Sequence, residues 1–378
     1  MERQEMTIDS EFPGGNVQIS GIDGDKVRFR QDLRDSRYWF YWAFRVREAQ
    51  GRTLTFKMDP RIVGVRGPAV STDDGATWRW MGASAVTNGA FSYLFDRHAN
   101  EVYFSFGMPY VQRSLERFLK KHERSEHLRV GELCTTDKGR SAEKLLLGCL
   151  EGRPRYKLII CCRHHACEMM ANYVLEGLIE RVLDESAEGR WLRRNVAFFV
   201  IPFVDKDGVE EGDQGKNRRP HDHGQDYSEG RYPTVRAIKE QLPAWIGDTP
   251  AFVIDVHCPG PFGTWHQVLM SPTRRDDKTW LKLQPFLKIL DARHTGPLRL
   301  VLSESEQFIG WKGKPTPRDP SAPPRSFHAW SKTLKTVRWG VTFEIPYADS
   351  RGAEVNQNSA RTWGADLATA LARYLQAL

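Results

Sequence analysis

Four short apolar runs, at residues 158–162, 196–203, 252–256 and 341–343, limit the folds open to this chain more than any other feature. They read as strands. Segments with helical spacing stand before, between and after them, at 141–150, 168–183, 280–290 and 360–378. Strands alternating with helices predict an α/β domain with a mixed, largely parallel sheet and flanking helices. Ligands of such sheets sit beyond the carboxyl ends of the strands, and three of the runs lead there into ionisable residues. Run 158–162 passes into Arg163-His164-His165-Ala166-Cys167-Glu168, run 252–256 ends at His257, and run 341–343 ends at Glu344.

The first part of the chain has a different period. Trp42, Phe44 and Val46 alternate with Ala43, Arg45 and Arg47, and residues 53–58 repeat the alternation of half-buried strands. Asp74-Gly75 and Asn88-Gly89 are hairpin-turn pairs, and 102–106 reads as a last strand. An N-terminal β-sandwich over residues 1–112 is expected, with the aromatic run 38–42 in its core and no catalytic cluster of its own. The α/β domain then occupies 113–378. At the passage between them, Val111, Leu115, Phe118 and Leu119 share one helical face, and the stretch 120–129 is strongly charged. Two long loops interrupt the second domain: 205–233, too polar and Gly-rich for a core, and the Pro-rich 312–325. Loops of such length in a compact domain are usually functional or disordered.

Composition narrows the function classes. The first residues are polar and acidic, without the apolar stretch of a secretory signal, and no run approaches the roughly eighteen apolar residues of a membrane helix. The six cysteines form no C-x-x-C pair and read as buried free thiols of a reducing compartment. A cytoplasmic protein with no membrane partner is expected. Net charge is +7 with a pI near 9.0, but the basic residues are scattered and no nucleic-acid-binding signature is present. A basic cleft for an acidic or carboxylate-bearing substrate fits the charge.

If the three strands are neighbours, two histidines and two glutamates converge on one crevice. Two His and one carboxylate with an open fourth position make a catalytic zinc arrangement that lowers the pKa of a bound water. A second carboxylate beside that water can accept its proton and pass it to a leaving nitrogen. His165 and Glu168 have the H-x-x-E spacing that lets both meet one metal from a tight turn, which favours His165 over His164. Asp255 is expected on the opposite strand face from His257, as a partner behind the ligands. His221, Asp222 and His223 are expected as exposed loop residues.

These residues resemble the zinc metallocarboxypeptidases, most closely the cytosolic carboxypeptidase branch, over essentially the whole chain. Phe106-Gly107-Met108-Pro109-Tyr110 looks like the junction after that branch's sandwich, and Arg163–Glu168 matches its R-x-H-x-x-E motif. Asp207-Gly208-Val209 resembles its P-D-G element, with Lys206 where proline is usual, and Thr342-Phe343-Glu344 resembles the element carrying its base. The resemblance implies a peptide-bond hydrolase that removes residues from peptide or protein C-termini, acidic ones included. It implies one zinc ion on His165, Glu168 and His257, with Glu344 as general base. The branch's D-x-N-R, whose Asn and Arg grip the terminal carboxylate, is altered here: Asp222-His223-Gly224-Gln225 puts Gly224 and Gln225 in those places. Upstream Asn217-Arg218-Arg219 offers replacements, Arg218 or Arg219 to polarise the scissile carbonyl and Asn217 with Arg218 to hold the carboxylate. The branch's active-site tyrosine has no counterpart in 326–330. Two alternatives stay open: an amidohydrolase, deacylase or cell-wall peptide hydrolase on the same scaffold, and a zinc-containing peptide-binding protein without catalysis.

Overall fold

Phe29, Trp42, Phe44, Phe56, Phe91 and Phe104 pack ring against ring between two five-stranded sheets. The computed structural model describes residues 5–260, 278–300 and 321–378, with the single residues 267, 269 and 302. One sheet runs Thr7–Asp9, Ala43–Arg47, Glu101–Ser105, Ala69–Ser71, Arg79–Trp80. The other runs Gln18–Asp23, Lys26–Arg30, Thr53–Met58, Ala90–Leu94, Val86–Thr87. All their pairings are antiparallel except that of Lys26–Arg30 with Thr53–Met58. Asp74 and Gly75, and likewise Asn88 and Gly89, take positive φ in tight turns, as their hairpin chemistry requires.

The helix Gln112–Lys121 leads into a six-stranded sheet of order Leu128–Thr135, Ser141–Gly148, Val196–Ile201, Tyr156–Cys162, Ala251–His257, Val337–Glu344. Its first two pairings are antiparallel and its last three parallel. Alternation decides what each face touches. Leu158, Ile160, Phe198, Val200 and Ile254 share a core with Leu175, Leu178 and Ile179 of the helix Met170–Leu183 and with Leu367 and Leu371 of the helix Gln357–Gln376. Ile159, Phe199 and Val253 meet Val235, Ile238 and Leu242 of the helix Pro233–Ile246 on the other face. The first of these cores is continuous with that of the sandwich, so the two parts share buried apolar residues.

Two expectations change. Residues 141–150 were expected to be helical, but Ser141–Gly148 is a strand, paired on both sides. Its leucines satisfy a helical period, yet Leu145 and Leu147 point into the core as a strand's alternate residues do, so tertiary pairing overrides local spacing. The segment 205–233 is not excluded from the core: it carries the helix Lys206–Glu211, and Asp205, Gln214, Arg218 and Asp226 are all buried. The Pro-rich loop 312–325 lies outside the described residues up to position 320.

Candidate active site

Strands Tyr156–Cys162, Ala251–His257 and Val337–Glu344 are adjacent and parallel, so their carboxyl ends open on one side of the sheet. His257 and Glu344 are cross-strand partners and Ile345 N donates to His257 O. Partners in register project to the same face.

The turn after Tyr156–Cys162 is held by Arg163. This residue has φ +62°, a region that non-glycine residues rarely occupy. Its buried guanidinium donates to Ala166 O and Tyr110 O at 2.9 Å and to Asn172 Oδ1 at 2.9 Å. These bonds bend the chain so that His165 and Glu168 face one point. The junction segment closes behind: a Cβ on Gly107 would lie 2.7 Å from Met169 Sδ, so a larger residue there would have to push that side chain aside. Glu168 then sits just before the first turn of the helix Met170–Leu183, where the helix dipole favours a negative charge.

Glu168 lies between two imidazoles, Oε1 at 2.8 Å from His165 Nδ1 and Oε2 at 2.7 Å from His257 Nδ1. The two Nδ1 atoms are 3.2 Å apart. Zinc bonds of about 2.0–2.2 Å set tetrahedral ligand atoms roughly 3.3 Å apart, so two imidazole nitrogens and a carboxylate at these spacings fit that ion. All three residues are buried. A second group, His164, Asp255 and His257, has the same donor types. Its members are engaged with each other: Asp255 accepts from His164 Nδ1 and His257 Nε2 at 2.8 Å each, and His164 Nε2 is 2.9 Å from the Tyr227 hydroxyl. His164 and Asp255 therefore stand behind the candidate ligands and orient His257. Asp255 does this from the same strand face as His257, not the opposite one, because residues two apart on a strand project together.

Asp222 and its neighbours also differ from expectation. His221, Asp222 and His223 are buried rather than exposed. Asp255 at the far nitrogen of His257 fixes the tautomer that presents Nδ1 to a metal, while Asp222 Oδ1, 3.6 Å from His165 Nε2, is near that ring but beyond hydrogen-bond distance. Burial raises the Asp222 carboxyl, but His165 outweighs it and the net shift is downward. Burial likewise opposes charge on His165 and His257, yet Glu168, joined for His257 by Asp255, holds both imidazoles above their usual value. Glu168 itself, despite burial, is held well below the carboxylate range by His165, His257 and Lys216. The cluster attracts positive charge.

The cation beside this cluster is one the sequence reading passed over. Lys216 Nζ is 3.5 Å from Glu168 Oε1 and 5.5 Å from the centre of the Trp39 ring. Burial lowers the Lys216 ammonium's pKa, but Glu168 and Glu344 more than reverse this. Gly215 brings it there: φ is +73°, and a Cβ would lie 2.1 Å from Ala166 N. The sandwich fixes the same segment, because Gln214 accepts from Tyr41 N and donates to Tyr41 O at 2.7 Å each.

Arg218 is turned elsewhere. Its three guanidinium nitrogens meet Asp35 at 2.6 Å, Asp205 at 2.9 Å and Asp213 at 2.8 Å. Arg219 is exposed and, with Arg218 and His223, lines a different cavity of about 250 Å³ beside Asp35 and Asp205. Asn217 has φ +55° and its amide donates to Tyr38 O at 3.4 Å. Gly224 and Gln225 do lie beside the cluster, in a cavity of about 170 Å³ that also includes His165, His257, Ser326, Phe327, His328 and Thr342. A Cβ on Gly224 would stand 3.1 Å from His165 Nε2, so a larger residue would press on that ring.

Residues 115–234 match the sequence profile described as zinc carboxypeptidase, peptidase M14. An uncharacterised Zymomonas mobilis protein is 25% identical over 264 residues, 67% of each chain. Cytosolic carboxypeptidase 6 of Mus musculus is 23% identical over 183 residues, and this alignment covers 44% of the chain and one third (33%) of the mouse protein. Among solved structures, a metallo-carboxypeptidase from Burkholderia cenocepacia superposes with a TM-score of 0.80 at 18% identity, covering 99% of this chain and 100% of that one.

Proposed function

We propose that this chain, whose residues 115–234 match the zinc carboxypeptidase family, is a zinc-dependent peptidase that removes residues from peptide or protein C-termini, with acidic residues among its substrates. The observation that carries the reading is the convergence of His165 Nδ1, His257 Nδ1 and the Glu168 carboxylate at the ends of neighbouring parallel strands. One zinc ion held there would polarise a carbonyl and make water acidic near neutral pH. Glu344, paired in register with His257, would take the proton of the attacking water and give it to the departing amine. Asp255 holds the His257 imidazole in the ligating tautomer. Arg218 is given a structural part, since its nitrogens are already on three carboxylates. The action is assigned to the cytoplasm, in keeping with the free thiols; no helix of the described residues is long and apolar enough to cross a membrane.

The deacylase or amidohydrolase reading is favoured by one observation: among the described residues, the cavity beside His165 is lined by no arginine, where a forked carboxylate contact would want one. A free C-terminal peptide and its amide separate the two. A carboxypeptidase is expected to cleave the free peptide at least about 10²-fold faster in kcat/KM, because a buried carboxylate contact is worth a few kcal/mol. Equal rates measured on the pair would favour the alternative.

A further inference from the structure

We propose that Lys216 is the group that polarises the scissile carbonyl and steadies its oxygen as that oxygen becomes negative. The proposal rests on the peptidase reading above and assigns a residue to a task that the reading leaves open.

Placement comes first. Gly215 packs on the backbone of Ala166 in a conformation closed to other residues, and Cys167 N donates to Gln214 O at 3.3 Å. Lys216 is thereby fixed beside the metal motif, whereas Arg218, two residues on, is drawn away by Asp35, Asp205 and Asp213. The sandwich supplies the far wall. Asn16 donates to Gly212 O at 2.8 Å, Arg37 N to Asn217 O at 3.2 Å, and the Trp39 ring lies under the ammonium. An ammonium over an indole face is attracted to it while keeping its protons free for other acceptors.

Charge comes second. Lys216 feels Glu168, Glu344 and Asp222 together, the two proposed reactive or ligating carboxylates and the one behind His165. Its side chain is 28% exposed, so it borders open space. A dication on Glu168 would weaken the pull of that carboxylate on a second cation 3.5 Å away. The four-carbon stem then lets the ammonium turn to a nearby substrate oxygen. As the water oxygen bonds to the carbonyl carbon, the C=O π pair moves onto the carbonyl oxygen, and Lys216 donates a hydrogen bond to it without losing its proton. When that pair returns, the C–N bond breaks and Glu344 delivers its proton to nitrogen. A donor whose hydrogen bond strengthens only as negative charge develops speeds the chemical step.

The competing role is an ion pair that merely steadies Glu168, and it makes a different prediction. Zinc-loaded wild type, K216M and K216R are compared on one C-terminally free peptide, with zinc content measured beside kcat and KM. Lys216→Met is expected to lower kcat about 10²–10³-fold with zinc content unchanged and KM nearly so, and Lys216→Arg to recover part of the loss. A K216M enzyme with wild-type kcat, or one whose loss vanishes when rates are expressed per bound zinc, overturns the proposal. A wild type that cleaves no peptide overturns the proposed function and this inference with it. An active wild type beside an equally active K216M overturns this inference alone.

Discussion

Glu344→Gln is expected to lower kcat for peptide hydrolysis about 10³-fold or more, within reach of the full range for a lost general acid–base group, while zinc content stays at the wild-type level. The change removes one charge and keeps shape. Glu344 stands in register with His257 but is not one of the three residues that cluster as ligands. A variant that keeps the metal and loses the chemistry separates a proton-handling role from a ligating one. Metal analysis and initial rates on the same preparation measure both. Retained activity would remove Glu344 from the mechanism, and loss of zinc would make it a ligand.

Arg218→Ala is expected to destabilise the fold by about 3–5 kcal/mol, the range for removing one partner of a buried ion pair, while kcat below the unfolding midpoint changes little. The cause is what remains: Asp205 fully buried, with Asp35 and Asp213 beside it and only Arg34, on the other oxygen of Asp213, left as a counter-charge. In the native protein burial raises the Asp205 carboxyl, but Arg218, with His223 and the Gly208 N–H, outweighs it and the net shift is downward. A carboxyl lowered on folding contributes stability that is present above its unfolded value of about 4 and lost as pH falls through the folded one. Without Arg218 the carboxyls shift upward, so the variant's deficit should shrink as pH is lowered from 7 towards 4. Denaturant or thermal unfolding across that interval measures it. Unchanged stability with collapsed kcat would return Arg218 to the substrate.

Two of the strands that frame the site, Tyr156–Cys162 and Ala251–His257, were legible as mainly apolar runs buried on both faces, and the third, Val337–Glu344, by the ionisable side chain that ends it. Spacing alone favoured His165 over His164, and the structure puts His165 Nδ1 on Glu168 and His164 on Asp255. Three features were less legible. The strand Ser141–Gly148 carries leucines at helical spacing, and only Gly139, at φ +77° in the preceding turn, marks the hairpin. The segment 205–233 looked like solvated loop because composition counts polar residues and not their partners. Asp226, for example, accepts from His221, Arg231 N and Tyr232 N, which makes its burial tolerable. Lys216 was missed for a related reason. Nothing local distinguishes it from Arg218 and Arg219. What distinguishes it is a glycine that can lie on Ala166 and a tryptophan some 177 residues earlier, and both act through tertiary contact.

The central claim is a single zinc ion on His165, Glu168 and His257, and equilibrium dialysis against zinc followed by metal analysis tests it most directly. Wild type is expected to bind one ion per chain, His165→Ala and His257→Ala to lose it, and His164→Ala to keep it. A wild type that binds none, or zinc that survives His165→Ala and leaves with His164→Ala, would contradict the account. The second result would move the ion to the group formed by His164, Asp255 and His257.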